Sequence, residues 1–90
     1  MAYRPKDTQE RILHRLKIAH GHLKKVIQMV EEDVYCIDVL HQSQAVQKAL
    51  RETDNVMLEN HLKTCASDAI GKGKKKEAIG EIMQVFSKMS

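Results

Sequence analysis

The sequence predicts an all-α fold, and three features support that class. The chain has two Tyr, one Phe, no Trp and a single Pro, so it lacks the bulky residues that anchor sandwiches and ligand pockets. Apolar residues recur at steps of three and four, which is the period of an amphipathic helix. The stretch from Val34 to Ala69 contains neither Gly nor Pro to end a helix.

Helix 1 is predicted over residues 8–31. The polar residues 1–6 are expected to form a flexible N-terminal arm, and Asp7 or Thr8 is expected to cap the helix. Gly21 interrupts the helix mildly. The apolar positions form one stripe, made of Ile12, Leu16, Ala19, Leu23, Val26 and Val30.

Helix 2 is the long central helix of the prediction. Asp33 is its expected cap, and its apolar positions from Val39 to Met57 keep a spacing close to seven. The GKGKKK run at residues 71–76 predicts a turn, and helix 3 follows at about 75–88. The second half of helix 2 extends past any partner in its own chain. The sequence therefore predicts a three-helix protomer that forms an antiparallel helical-bundle dimer.

The length and the net charge of the chain indicate its domain number and the kind of partner it suits. Ninety residues correspond to one domain, residues 1–90, whose small core makes oligomerisation expected. The net charge of +3, from 15 Lys and Arg against 12 Asp and Glu, suits a polyanionic partner such as DNA. No stretch approaches the roughly 20 apolar residues of a membrane span, so a cytoplasmic protein without membrane contact is expected. Two Cys in such a chain are expected to be reduced thiols.

Cys36, His61 and Cys65 form the candidate metal site. His61 and Cys65 are four residues apart, so in an α-helix they share a face and lie about 6 Å apart. The pair alone is weak evidence, but Cys36 lies within about 20° of the direction of His61 on the same helix. Both residues therefore project from nearly one face.

The rise of an α-helix prevents one chain from using all three ligands. At about 1.5 Å per residue, Cys36 and His61 are separated by roughly 37 Å along an unbroken helix. If two copies of helix 2 pack antiparallel, Cys36 of one chain falls beside His61 and Cys65 of the other. Two thiolates and one imidazole form a soft, three-coordinate set that favours Cu(I) over Zn(II). Tyr35 or Glu81 could hold the second ring nitrogen of His61, although a buried Tyr and a solvated Glu explain these residues equally well.

A basic strip on helix 1 is the candidate DNA-binding surface. It contains Arg11, Arg15, His22 and Lys25, with Lys17 and Lys24 beside it. Such a strip could neutralise phosphates, although no recognition helix is evident. A solvated charged face is the simpler interpretation on these residues alone.

The chain resembles the CsoR/RcnR family of bacterial repressors, also known as DUF156. The resemblance covers nearly the whole chain and is carried by RLKIAHGHLKKVIQMVEED, YCIDVLHQSQAVQKAL and LENHLKTC. It implies a homotetrameric dimer of dimers that binds operator DNA when metal-free and releases it on binding Cu(I) between subunits. By position, the resemblance assigns Cys36, His61 and Cys65 as copper ligands.

The same resemblance implies roles for four further residues. Tyr35 and Glu81 match a pair that transmits metal binding to helix 3, and Arg15 and Arg51 match basic positions implicated in DNA contact. His20 and His22 depart from the family pattern, in which an acidic residue and Gln are frequent at these positions.

Several alternatives to copper sensing remain open. A nickel or other metal sensor of the family would carry an N-terminal His, and none precedes His14. A thiol or persulfide sensor would keep both Cys but lack His61. A metal buffer without DNA binding is a third alternative. An enzyme with a Cys nucleophile is disfavoured, because no third orienting residue has convincing spacing.

Overall fold

The computed structural model of the chain describes residues 4–88, and this part is helical without strands. Four α-helices and one π-helical segment follow each other along it: α1 (Lys6–Glu31), α2 (Cys36–His61), the π turn (Leu62–Ala66), α3 (Ser67–Gly71) and α4 (Lys75–Ser87). The predicted helices 1 and 3 correspond to α1 and α4, and the predicted helix 2 corresponds to α2, the π turn and α3. The all-α class and the three-helix protomer are therefore confirmed.

Helix α1 begins two residues before its predicted start. Pro5 occupies the N-cap position, where no side-chain cap is present, and its carbonyl accepts the Gln9 N–H at 3.0 Å. Proline suits the start of a helix because its φ is already close to the helical value. The prediction that Asp7 or Thr8 caps the helix is wrong, and Lys6 of the predicted arm is helical. Residues 1–3 of that arm lie outside the described residues.

The turn between α1 and α2 also differs from the prediction. Asp33 does not cap α2; it has a φ of 56° and follows the end of α1. The Asp33 N–H donates to the Val30 carbonyl at 3.2 Å, and the Val34 N–H donates to the Met29 carbonyl at 3.0 Å. This pattern is a Schellman motif, in which one left-handed residue closes the helix. Because Asp33 ends α1, α2 begins only at Cys36.

A second Schellman motif closes α3. Gly73 has a φ of 81°, its N–H donates to the Ile70 carbonyl at 3.1 Å, and the Lys74 N–H donates to the Ala69 carbonyl at 2.8 Å. Glycine adopts this conformation without steric cost. The predicted turn at 71–76 is confirmed in shorter form, because Gly71 still belongs to α3 and Lys75 already belongs to α4.

The described chain divides into two compact units: one is Pro5–Met57, and the other begins at Leu58 and also includes Arg4. In the unit from Pro5 to Met57, the buried side chains are seven residues apart on each helix: Ile12, Ala19 and Val26 on α1, and Val46 and Thr53 on α2. His22 on α1 hydrogen-bonds to Gln42 on α2 at 2.7 Å. Together with the short turn, these features indicate that α1 packs antiparallel against α2.

In the unit that begins at Leu58, the buried residues are small. Ala66 of the π turn and Ala78 of α4 are each 3% exposed, and α4 contacts both α3 and the π turn. Two exposed ion pairs each join residues one helical turn apart: Lys63 with Glu59, and Lys72 with Asp68. The prediction of a single domain over residues 1–90 stays a prediction.

Within the described residues, no helix is both long and apolar enough to cross a membrane.

Replacing Gly21 or Gly73 by Ala is expected to change the stability of the protein in opposite directions. A Cβ would meet nothing within 4 Å at either position, but only Gly73 has a positive φ. We expect Gly21→Ala to raise the free energy of unfolding by about 0.4–1 kcal/mol through the lower entropy of the unfolded chain. We expect Gly73→Ala to lower it by about 1–2 kcal/mol through left-handed strain. Urea titration monitored by circular dichroism measures both, and a Gly73→Ala protein as stable as Gly21→Ala would contradict the expectation.

Candidate metal centre

His61 and Cys65 lie on either side of a change in helix type. His61 is the last residue of α2, and Cys65 lies in the π turn at Leu62–Ala66. Both are half-buried. The sequence predicts that they lie one regular α-helical turn apart, and it gives no sign of the π turn. Single π turns within α-helices are rare and occur frequently at functional sites.

The imidazole of His61 faces a carboxylate on α4. Its Nε2 lies 3.9 Å from Oε2 of Glu81, and the two side chains are 35% and 69% exposed. This separation is longer than a hydrogen bond. Because Nε2 faces Glu81, Nδ1 is the ring nitrogen that remains for another partner. Of the two residues predicted to accompany His61, the structure brings Glu81 beside it.

The surroundings of Cys65 include a threonine hydroxyl that the sequence argument overlooked. Thr64 Oγ1 donates to the Asn60 carbonyl at 2.7 Å and lies 3.6 Å from Cys65 Sγ. A second hydroxyl, Ser67 Oγ, donates to the Leu62 carbonyl at 2.7 Å. The signal was present in the sequence, since Ser and Thr inside a helix commonly bond to a carbonyl of the preceding turn.

Cys36 and Tyr35 lie at the start of α2. Cys36 is the first residue of the helix and is exposed, and Tyr35, in the turn before it, is 67% exposed. The Tyr35 carbonyl accepts the N–H groups of Asp38 and Val39, which closes the first turn. Neither cysteine takes part in a disulfide. A role for Tyr35 beside His61 stays a prediction.

No three metal-binding side chains cluster within residues 4–88 of one chain. The donor set of two thiols and one imidazole nevertheless fits a soft cation such as Cu(I). That all three side chains bind one ion, with Cys36 supplied by a second subunit, stays a prediction.

The predicted DNA-binding residues are all exposed. Arg11, Arg15, Lys17 and Lys25 lie on α1, and Arg51 lies on α2. Arg51 also borders a shallow open groove with His41, Gln44 and Lys48. His22 differs from the predicted strip, because it is half-buried and its Nε2 donates to Gln42 Oε1. His22 therefore forms a hydrogen bond between α1 and α2 and is not part of the exposed basic strip.

Comparison with known proteins identifies the family. Residues 8–88 match the family model of metal-sensitive transcriptional repressors. The chain is 45% identical over 83 residues to the copper-sensing transcriptional repressor CsoR of Mycobacterium ulcerans, covering 92% of this chain and 71% of that protein. It is 46% identical over 71 residues to CsoR of Mycobacterium tuberculosis H37Rv, covering 79% of this chain and 60% of that protein. The chain thus spans less than two thirds of the tuberculosis relative.

The fold also matches a solved structure. The crystal structure of the copper-sensing repressor CsoR with Cu(I) from Geobacillus thermodenitrificans NG80-2 superposes with a TM-score of 0.88 at 39% identity, covering 97% of this chain and 91% of that chain. These relatives are transcriptional repressors and not enzymes. The chain belongs to the metal-sensitive transcriptional repressor family of the CsoR type.

Proposed function

We propose that this protein is a Cu(I)-responsive repressor that binds operator DNA when metal-free and releases it when Cu(I) binds between subunits. Its proposed ligands are His61 and Cys65 of one chain and the partner subunit's Cys36. The observation that carries the proposal is the pairing of His61 with Glu81 beside the π turn that contains Cys65. The names of the curated relatives, all copper-sensing repressors at 39–46% identity, support copper as the signal.

The chemistry of the donor set supports Cu(I) in particular. Bound Cu(I) would supply a soft Lewis acid that accepts low coordination by two thiolates and one imidazole. His61 would bind through Nδ1, because its Nε2 faces Glu81. The Nε2–H would then donate to the Glu81 carboxylate, which fixes the tautomer and the ring orientation.

This contact supports a route from the metal to α4. At 3.9 Å, His61 Nε2 and Glu81 Oε2 are within reach of a hydrogen bond after a small movement. A closer contact would draw α4 toward the end of α2. We propose that this movement favours a quaternary state with low DNA affinity. Because couplings between binding sites are reciprocal, DNA must weaken Cu(I) binding by the same factor.

Exposed apolar side chains support the proposed homo-oligomer. In the unit from Pro5 to Met57, Val30 is 60% and Leu40 is 53% exposed; in the other unit, Met83 is 61% and Phe86 is 54% exposed. Large apolar side chains are usually buried in a chain that folds alone. Association with other copies would cover them, so we propose the antiparallel dimer and the dimer of dimers as the working assembly.

The exposed cations support binding to the DNA backbone. Arg11, Arg15, Lys17, Lys25 and Arg51 all belong to the unit from Pro5 to Met57, and an oligomer would repeat them several times. Phosphate contacts of this kind give salt-dependent affinity, with sequence preference partly from DNA shape. A repressor acts where the chromosome is, so the proposal includes a cytoplasmic location.

An anaerobic Cu(I) titration tests the proposal. We expect the metal-free protein to bind its operator and the copper-loaded protein to bind it about 5–150-fold more weakly, which is the usual range of such couplings. Fluorescence anisotropy of labelled operator measures the change, and Ni(II) under the same conditions serves as the metal control. A copper-loaded protein that holds the operator as tightly as the metal-free protein would exclude the proposed function.

The variant Glu81→Ala tests the proposed route to α4, with Glu77→Ala on the same helix as a matched control. We expect Glu81→Ala to reduce the copper-induced loss of operator affinity toward none, because the imidazole then has no carboxylate to draw in. Glu77→Ala should keep the wild-type response, since Glu77 is exposed on the first turn of α4. Parallel operator titrations with and without Cu(I) measure both. A full response in Glu81→Ala would show that the signal travels by another path.

A further inference from the structure

The π turn changes the direction of the Cys65 side chain relative to His61 from the one that a regular α-helix would give. The backbone bonds of a π turn close over five residues instead of four, so one extra residue is accommodated within the turn. The π turn begins directly after His61 and contains Cys65. The direction of the Cys65 side chain relative to the His61 ring therefore depends on whether this turn is kept.

Two hydroxyl side chains donate to carbonyls at the junction of α2 and the π turn. Thr64 Oγ1 donates to the Asn60 carbonyl at 2.7 Å, and Ser67 Oγ donates to the Leu62 carbonyl at 2.7 Å. The backbone N–H of Ser67 donates to a different carbonyl, that of Thr64. Ser67 thus closes the turn with its main chain and its side chain together.

The Thr64 hydroxyl also reaches the predicted ligand itself. Its Oγ1 lies 3.6 Å from Cys65 Sγ, a distance at which a hydroxyl and a sulfur interact. The hydroxyl has one proton, and the shorter bond to the Asn60 carbonyl holds it in place. Rotation of the Thr64 side chain is thereby restricted, and its hydroxyl stays beside the Cys65 sulfur.

We propose that Thr64 and Ser67 are positioning residues of the metal site: their hydroxyl groups hold the π turn that sets Cys65 relative to His61. Neither residue binds the metal. Their contribution is to keep two ligands of one chain in the arrangement that the partner subunit's Cys36 completes. This inference rests on the proposed function, because it presumes that His61 and Cys65 bind Cu(I).

The test removes each hydroxyl and then restores it, in the full-length protein. Thr64→Val and Ser67→Ala remove the groups, while Thr64→Ser and Ser67→Thr keep a hydroxyl at the same position. Ser87→Ala is the matched control, because Ser87 Oγ also donates to a helix carbonyl, that of Gln84 at 2.8 Å, but in α4. Cu(I) affinity is measured anaerobically by competition with a chromogenic chelator. The coordination of bound copper is measured by X-ray absorption, and stability of the metal-free protein by thermal melting.

We expect Thr64→Val and Ser67→Ala each to lower Cu(I) affinity by about 10–100-fold, as losses around metal ligands commonly do. The copper spectrum should show a weakened imidazole contribution, and the restoring variants should recover wild-type affinity. The melting temperature of the metal-free protein should change no more than in Ser87→Ala.

Wild-type Cu(I) affinity in Thr64→Val and Ser67→Ala would overturn the inference, and so would an equal loss in Ser87→Ala. A loss that accompanies a lower melting temperature and is not restored by Thr64→Ser or Ser67→Thr would also overturn it, because it would reflect general destabilisation. If the wild-type protein itself does not bind Cu(I), the proposed function fails first. Failure of the positioning role alone is recognised by a wild-type protein that binds Cu(I) normally.

Discussion

The rise of the α-helix limits how the three candidate metal ligands can meet. A helix advances about 1.5 Å per residue, so two ligands separated by 25 positions in one helix cannot bind the same ion. Cys36 begins α2 and His61 ends it, which makes this constraint apply directly to the candidate ligands. The proposed site with all three ligands therefore needs a second subunit to supply Cys36. The exposed apolar side chains on both units are consistent with a chain that needs other copies to complete its core.

The proposed metal site, shared between subunits, would give a physical reason for regulation. Bonds that join two chains would act on the assembly, and the proposed assembly would determine how the exposed cations of α1 and α2 are presented to DNA. The His61 and Glu81 pair offers a second connection, from the end of α2 to α4. The proposed Cu(I) site depends on the preference of a soft cation for thiolate and imidazole ligands. The pair of His61 and Glu81 depends on the tendency of a metal-bound imidazole to donate its second N–H to a carboxylate.

The sequence predicted the helices well, because the apolar period and the absence of Gly and Pro from 34 to 69 are strong signals. The prediction that Asp33 caps α2 was wrong. Asp is suited both to the N-cap of a helix and to the left-handed position that ends one, and Asp33 occupies the second of these. The π turn could not be predicted, because the residues Leu62–Ala66 are equally compatible with an α-helix. Glu81 lies beside His61 in the structure, and the roles of Glu81 and Tyr35 toward a metal stay predictions.

Mixed variants show directly whether each proposed metal site takes its ligands from two chains. Chains carrying Cys36→Ala and chains carrying His61→Ala should each lack tight Cu(I) binding. When they are unfolded together and refolded, the mixed dimer should regain one intact site. Tight binding should then return to roughly a quarter of the wild-type number of sites, because half of randomly paired dimers are mixed and each holds one site. A mixture that binds no more Cu(I) than either variant alone would show that no site combines ligands of two chains in this way.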